Sequence, residues 1–192
     1  MILELRDSQQ VSRRKKEPEK KPDKSFELEL WTWNEMEVPT LQRDGRYRQD
    51  KSVTYIYDIF SKKLTEVAPF TVDLLLPSGA ENLNYVLYTD ESPYKMQREW
   101  LDRLPFDIYS VNVHTGAKRL IGRSYRTAPK WSVNGKWAVM YDPIAQVWNK
   151  FDGATGKVVN ISDAIGYPMF VESYDKPAPA PAYGIAGWTA DG

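Results

Sequence analysis

The chain has 192 residues, no cysteine, and 26 basic against 26 acidic side chains, so its formal net charge is zero. This length is sufficient for one domain with a sizeable core, and the balanced charge points to no nucleic-acid partner. The absence of cysteine excludes disulfides, thiolate metal sites and a cysteine nucleophile, while it leaves the compartment open. No apolar run approaches the roughly 20 residues of a membrane span, and the start lacks a signal-peptide pattern.

Residues 1–25 differ in composition from the rest of the chain. The stretch RDSQQVSRRKKEPEKKPDK is highly charged and has almost no apolar side chain. Such a segment cannot bury enough surface to offset the entropy lost on ordering, which predicts a flexible charged arm or exposed loop. The basic cluster 13–16 leaves a polyanion partner open as an alternative, but a solvated linker is the favoured interpretation.

From Phe26 onward the sequence alternates in short apolar and polar runs that are typical of β-strands. Predicted strands include FELELWTW (26–33), SVTYIYDIF (52–60), KLTEVA (63–68), FTVDLLL (70–76), NYVLYTD (84–90), FDIYSVNV (106–113) and AKRLIG (117–122), then APKWSV, KWAVMYD, QVWNKFD and GKVVNIS. One candidate helix, YKMQREWLDRL (94–104), is short and has a loop between two strands as its alternative. The fold class is therefore predicted to be all-β.

A repeated unit organises these strands. Segments that begin at Asp58, Asp107 and Val147 each contain an aromatic strand, a polar turn and a short amphipathic strand, and two of the turns share a Thr-Gly pair (115–116 and 155–156). Glycine there supplies the positive φ that a hairpin bulge requires. Four short strands every 40 to 50 residues or so are typical of β-propeller blades. We therefore predict an incomplete propeller over 26–192, with about three to four blades near 26–68, 70–122, 127–162 and, in part, 167–192.

A hairpin signal within this pattern recurs at the end of the chain. In PKWSVNGKWAVMYD (129–142), the pair Asn134-Gly135 is a strong turn signal because both residues tolerate positive φ. GWTADG (187–192) is a degenerate copy, and it leads us to expect that the sequence is a section of a larger propeller. The tryptophans of the blade pattern are expected to pack between blades rather than to stack sugars or bases; they are Trp31, Trp33, Trp131, Trp137, Trp148 and Trp188.

Taken in chain order, these segments resemble the propeller domain of bacterial prolyl-oligopeptidase-family serine peptidases. The similarity covers about residues 26–192, and its most specific piece is YDKPAPAPAYGIAGWTADG (174–192). It is closest to Bacteroidetes members labelled dipeptidyl-peptidase or acylaminoacyl-peptidase-like. The resemblance implies a C-terminal α/β-hydrolase domain as partner, a peptide as a further binding partner, a gating role for the propeller, and a periplasmic or otherwise extracytoplasmic location.

The chain departs from that family in its catalytic residues. It contains no G-x-S-x-G nucleophile elbow, and its one histidine, His114, lies in the turn NVHTGAK, where a solvated role is favoured over a catalytic one. No cluster of ligand-type residues predicts a metal, and no glycine-rich phosphate loop predicts a cofactor. We therefore expect this chain to contain no catalytic residue and to bind no metal or cofactor.

The longest interruption of the strand pattern is the insertion ESPYKMQREWLDRLPF (91–106). Long loops on rigid scaffolds carry recognition more often than strands do. We therefore predict a substrate or partner surface formed by four side chains of this insertion: Tyr94, Arg98, Trp100 and Arg103.

Two functions remain open from the sequence. The first is a non-catalytic propeller section of a prolyl-oligopeptidase-family peptidase, which would act as scaffold and substrate gate for a hydrolase domain outside this chain. The alternative is a binding or interaction propeller of the TolB type without an enzymatic domain. A propeller-type polysaccharide lyase would need a metal-binding histidine cluster that the sequence lacks.

Overall fold

The computed structural model describes residues 1–6, 32, 35, 52–69, 72–76, 84–98 and 100–189. Within these ranges the chain forms a short 3-10 helix, Ser92–Gln97, and a series of β-strands. In chain order, the strands are β1 Ile2–Arg6, β2 Ser52–Asp58, β3 Lys63–Ala68, β4 Asp73–Leu75, β5 Tyr85–Asp90, β6 Phe106–Asn112, β7 Lys118–Tyr125, β8 Lys130–Trp131, β9 Trp137–Asp142, β10 Val147–Asp152 and β11 Val158–Asn160.

The strands form three antiparallel sheets, each built from strands that are neighbours in the chain. The first sheet has the order β1-β2-β3, the second β4-β5-β6-β7 and the third β8-β9-β10-β11. The second sheet spans residues 73–125 and the third spans residues 130–160. The corresponding blades were predicted at 70–122 and 127–162. Four-stranded antiparallel meanders of this kind are the blades of a propeller.

The three sheets stack face to face through two apolar clusters. Between the first and second sheets the buried residues are Val67, Ala68, Val86, Tyr88, Val111 and Val113. Between the second and third sheets they are Leu87, Phe106, Ile108, Tyr125, Ala138, Met140 and Phe151. The second sheet is therefore covered on both faces, as an internal blade is. The prediction of an all-β, partial β-propeller is confirmed.

The hairpin turns share one side-chain to backbone hydrogen-bonding pattern. Asp58, Asn112, Asp142 and Asp152 each end a strand, and the side-chain Oδ1 of each accepts hydrogen bonds from two backbone N–H groups two and three residues later. Four positions after each of them the backbone adopts positive φ, at Lys62, Gly116, Gln146 and Gly156. Short Asp and Asn side chains favour such turns because they imitate a backbone carbonyl. The turns 58–62, 112–116 and 152–156 therefore occupy equivalent positions in the three sheets.

The structure corrects two expectations. Residues 2–6, which were assigned to the flexible arm of 1–25, form β1 and pair with β2 from Ile2↔Ile56 to Arg6↔Ser52. Leu3 and Leu5 alternate with Glu4 and Arg6, which suits a strand, and the charged composition that follows obscured this pattern. Among the described residues of the candidate helix 94–104, only 94–97 are helical, as the C-terminal part of the 3-10 helix. The segment ends in Leu104, which is buried just before β6. The predicted strand 26–33 and the remainder of the arm, 7–25, lie outside the described residues.

The tryptophans divide into two groups. Trp131 packs against the cluster between the second and third sheets, and its indole N–H donates to the carbonyl of Leu75 at 3.2 Å, so the expected packing between blades is confirmed there. Trp137 and Trp148 lie on the other face of the third sheet, where Lys150 Nζ sits 4.2 Å from the Trp137 ring centroid. Strand alternation turns these two away from Ala138 and Phe151, so they lie outside the cluster between the second and third sheets. Trp188 is half-buried, and Trp31 and Trp33 lie outside the described residues.

Burial of Tyr88 makes the stability of the stacked sheets depend on pH in the alkaline range. Burial raises the pKa of Tyr88 to about 12 from its ordinary value of 10.0, because the phenolate would be desolvated next to Tyr109. A raised pKa adds stability that is fully present below pH 10 and is lost as the pH rises toward 12. Urea denaturation should therefore show a fall in the free energy of unfolding between about pH 10 and about pH 12. We expect the fall to be shallower in Tyr88→Phe, and an identical pH profile in the two proteins would contradict this assignment.

Candidate functional site

The predicted surface lies on the connection between β5 and β6, at one end of the second sheet. Asp90 ends β5 and faces Asp107 across the strand pair. The Asp90 carboxylate accepts the backbone N–H of Ser92 at 2.8 Å, and Pro93 occupies the first turn of the 3-10 helix. Proline fits there because its fixed φ suits a helical start and its missing N–H would have no helical partner. The chain therefore leaves the sheet in a defined direction.

A buried carboxylate holds the first half of the connection. The Tyr94 hydroxyl donates to Asp107 Oδ1 at 2.6 Å, and the backbone N–H of Ser124 donates to the same oxygen at 3.1 Å. Asp107 is only 7% exposed. Burial, followed by the hydrogen bond to Asp107, raises the pKa of Tyr94, so its hydroxyl remains a donor at neutral pH. These bonds tie the 3-10 helix to β6 and to the end of β7.

The second half of the connection is held by apolar burial. Leu104, Pro105 and Phe106 are buried in succession as the chain enters β6. Phe106 belongs to the cluster between the second and third sheets. Both ends of the segment 91–105, which we call the anchored loop, are thus fixed to the blade.

Trp100 is the exposed feature of the anchored loop. Its side chain is 79% exposed, and its backbone N–H donates to the Gln97 carbonyl at 3.1 Å. Leaving an indole in water is costly, since burying a side chain of this size contributes a few kcal/mol. Because interface hot spots are enriched in tryptophan, an exposed tryptophan on a segment that is fixed at both ends is a candidate for contact with a partner.

The structure separates the four predicted residues. Arg103 is exposed near Trp100 in sequence, and its guanidinium lies 3.5 Å from the Arg126 carbonyl. Arg98 is half-buried at the C-terminal end of the 3-10 helix. Tyr94 directs its hydroxyl inward to Asp107, so it positions the loop rather than contributing that group to the surface. Of these four residues, Trp100 and Arg103 are the ones exposed to solvent.

Sequence reasoning missed the residues that hold the loop, above all Asp107 and Ser124. A signal for Asp107 was present, because a carboxylate between Phe106 and Ile108 at the start of a buried strand must find donors. Ser124 carries positive φ, +58°, which no sequence pattern indicated. It aims its backbone N–H at Asp107.

The equivalent connection in the third sheet is much shorter. Between β9 and β10 only residues 143–146 intervene, and Asp142 caps this turn through the backbone N–H groups of Ile144 and Ala145. Asp90 and Asp142 occupy the same place, at the end of the second strand of each four-stranded sheet. The anchored loop is therefore an addition to a shared blade plan and not a part of it.

His114 lies at the opposite end of the second sheet from the anchored loop. Its ring Nε2 is 3.2 Å from Asn84 Oδ1. Its backbone carbonyl accepts a hydrogen bond from the ammonium group of Lys63 in the first sheet. The turn at His114 thus joins two sheets.

In the part of the chain that the structure describes, no three His, Asp or Glu side chains lie together as a metal site. The helix found there is too short to span a bilayer.

No protein-family model and no curated protein matches the chain. Among solved structures, TolB from Acinetobacter baumannii matches with a TM-score of 0.32 and 16% sequence identity, covering 58% of this chain and 27% of that one. The chain thus spans about a quarter of the length of that protein. A similarity at this TM-score supports no conclusion about the fold or the function of this chain. The resemblance to prolyl-oligopeptidase-family peptidases has no support from a family model.

Proposed function

We propose that this chain is a non-catalytic section of a β-propeller that binds a partner through the anchored loop, with Trp100 as the central contact. The observation that carries the proposal is the 79% exposure of Trp100 on a segment fixed at both ends. A loop that is already ordered loses little entropy on binding. Interface energy also concentrates on Trp, Tyr and Arg side chains.

The chemistry of the loop favours an unfolded or extended peptide as the partner. The Trp100 indole offers a flat apolar face, and Arg103 beside it in the chain offers donors for carbonyl or carboxylate oxygens. Acidic residues of the same loop, Glu91 and Asp102, are also exposed. This mixture suits a peptide of mixed charge better than a polyanion, which would meet these carboxylates.

A more specific form of the proposal is that the section belongs to a prolyl-oligopeptidase-family serine peptidase, in which it would support and gate a hydrolase domain. It rests on the ordered similarity of segments over residues 26–192. The coding sequence beyond Gly192 decides it. A downstream G-x-S-x-G elbow followed by Asp and His would support a peptidase, whereas a complete propeller without such a domain would favour the interaction propeller.

A substitution of Trp100 tests the binding role. We expect Trp100→Ala to weaken binding of a fluorescein-labelled peptide pool, made by tryptic digestion of casein, by roughly tenfold or more. The measurement is fluorescence anisotropy at several salt concentrations. Tyr167→Ala is the matched control, because Tyr167 is equally exposed and lies outside the loop; it should bind as the unmodified chain does.

The result is informative in each direction. Equal binding by Trp100→Ala and the unmodified chain would remove the loop from the binding surface. The same preparations should neither cleave chromogenic dipeptide substrates nor react with a serine-directed phosphonate. Stoichiometric labelling by the phosphonate would contradict the non-catalytic part of the proposal.

A further inference from the structure

Three chain connections begin at the same end of the second and third sheets. The anchored loop joins β5 to β6, residues 126–129 join β7 to β8, and residues 143–146 join β9 to β10. Because successive strands in each sheet are antiparallel, all three connections leave from the end where β5, β7 and β9 finish. The side-chain amide of Asn149, near the start of β10, donates to the Tyr125 hydroxyl at the end of β7 at 3.3 Å. The two sheets are therefore stacked with these ends together.

Residues 126–129, which we call the crossing segment, pass across the seam where the second and third sheets meet. The crossing segment starts from β7, which is one edge of the second sheet. It leads into β8, whose Trp131 donates its indole N–H to the carbonyl of Leu75 in β4, the other edge of that sheet. The crossing segment therefore runs across the seam, with the anchored loop on the side of the second sheet and the turn 143–146 on the side of the third.

The anchored loop brings a positive charge to this seam. The Arg103 guanidinium lies 3.5 Å from the carbonyl of Arg126, the first residue of the crossing segment. Arg103 remains exposed, and so does Ala128 of the crossing segment, whose small side chain leaves the space above it open. The charge of Arg103 is thus accessible to a ligand that lies across the seam.

The turn 143–146 presents an apolar side chain on the other side of the seam. Ile144 is 69% exposed, and the Asp142 carboxylate fixes its backbone by accepting the N–H groups of Ile144 and Ala145 at 2.9 and 3.0 Å. Burial raises the pKa of Tyr125, and the nearby carboxylate of Asp142 adds to the rise. Asp142 and the turn that it caps therefore lie beside the end of β7.

These side chains form a sequence of contacts whose spacing suits an extended peptide. Trp100 is apolar, Arg103 is cationic and Ile144 is apolar, and the two apolar residues belong to neighbouring sheets. Stacked sheets lie about 10 Å apart. In a polyproline II peptide, residues three positions apart lie on the same side and are separated by about 9 Å. An acidic side chain between them would meet the Arg103 guanidinium in a charge-assisted hydrogen bond.

We propose that the anchored loop binds an extended peptide with two apolar residues three positions apart and an acidic residue between them, which crosses the seam from Trp100 to Ile144. This inference rests on the proposed function, since it names the ligand class of the Trp100 surface. Ile144 is the second apolar contact, and Arg103 selects the acidic residue. Both apolar contacts stand on segments that are already ordered, so little entropy is lost from the protein on binding.

Synthetic peptides of equal composition test the spacing. Each is a short chain of Gly and Ser with two Phe and one Glu; in the spaced peptide the Phe residues are three positions apart with Glu between them, and in the adjacent peptide they are neighbours. Titration of the chain labelled with 5-fluorotryptophan, followed at the Trp100 resonance, gives each dissociation constant. We expect the spaced peptide to bind roughly fivefold more tightly, because it alone can bury a second side chain. Equal binding of the two peptides would overturn the spacing.

A substitution of Ile144 distinguishes the second contact from the first. We expect Ile144→Ser to bind both peptides equally, because the spaced peptide loses its additional contact. Ile59→Ser is the matched control, since Ile59 is 65% exposed and lies in a turn at the opposite end of the sheets; it should keep the preference for the spaced peptide. Both residues are exposed, so both variants should keep the far-ultraviolet circular dichroism spectrum of the unmodified chain.

The outcomes separate this inference from the proposed function. If Ile144→Ser keeps the preference for the spaced peptide, Ile144 is not the second contact, although a shifted Trp100 resonance would still support the proposed function. Failure of every peptide to move that resonance would contradict the proposed function itself.

The charge is tested with a third peptide, in which Gln replaces Glu in the spaced sequence. At low salt it should bind the unmodified chain roughly twofold to threefold more weakly than the spaced peptide. Arg103→Gln should bind the two peptides equally. A difference that persists in Arg103→Gln would overturn Arg103 as the partner of the acidic residue.

Discussion

Replacing Phe151 by alanine is expected to lower the free energy of unfolding by about 3 to 5 kcal/mol, the range for a buried phenylalanine. Phe151 is fully buried in the cluster between the second and third sheets. Its ring meets Tyr85 of the second sheet and Trp131 of its own sheet, both edge to face, at centroid distances of 6.4 and 6.0 Å. The substitution therefore leaves a cavity where two blades meet, and urea denaturation measures the loss.

The same substitution shows whether the blades unfold together. If stacking on the third sheet supports the second, hydrogen exchange should accelerate in β6 as well as in β9. Val159→Ala is the control, because Val159 is exposed on the edge strand of the third sheet, and it should change stability by less than about 0.5 kcal/mol. Faster exchange in the third sheet alone would contradict a stack that folds as one unit.

Replacing Asp107 by alanine is expected to cost about 2 to 4 kcal/mol and to release the anchored loop. The substitution leaves two donors, the Tyr94 hydroxyl and the Ser124 backbone N–H, without the oxygen that they share. Unfilled donors in a buried place carry the full cost of their lost hydration. Ser124 also holds positive φ, +58°, which the bond to Asp107 helps to maintain. Thermal denaturation measures the stability, and hydrogen exchange over 91–105 measures the release.

Tyr94→Phe distinguishes the effect of Asp107 on the loop from its effect on the sheet. It removes only the hydroxyl and leaves Asp107 bonded to Ser124, so we expect a smaller loss of about 1 kcal/mol with faster exchange confined to the 3-10 helix. Peptide binding should weaken in both variants, because the loop would have to be ordered again on binding. Unchanged exchange over 91–105 in Asp107→Ala would show that the loop is held by other contacts.

The turns were the most predictable part of the fold. Asn134-Gly135 and the two Thr-Gly pairs carry their own conformational signal, and the structure has positive φ at Gly116, Gly135 and Gly156. A local signal of this kind depends on neighbouring residues alone and is therefore readable in sequence. The same device at Lys62 and Gln146 escaped prediction, because neither residue favours positive φ. There the preceding Asp58 and Asp142 impose it through their side-chain bonds.

The unpredicted features depend on contacts between distant segments. Ile2–Arg6 forms a strand through its pairing with β2, which begins at Ser52; the alternation within these five residues is too short to outweigh the charged sequence that follows. Tyr94 was expected at the surface, but a buried carboxylate thirteen residues later, Asp107, draws its hydroxyl inward. Trp137 and Trp148 lie on the opposite face of the third sheet from Phe151, and alternation in the sequence does not indicate which of the two faces meets the second sheet. Which strands pair and which side of a strand is buried depend on the partner strand, whereas a turn depends on its own residues.

Fluorine NMR of the chain labelled with 5-fluorotryptophan tests the central claim, that a rigid propeller section binds peptide through Trp100. Assignment comes from single Trp→Phe variants, and the probe is the casein peptide pool. The account predicts that added peptide shifts the Trp100 resonance while the resonance of Trp131, packed between blades, stays in place. A shift of Trp131 with Trp100 unmoved would contradict it.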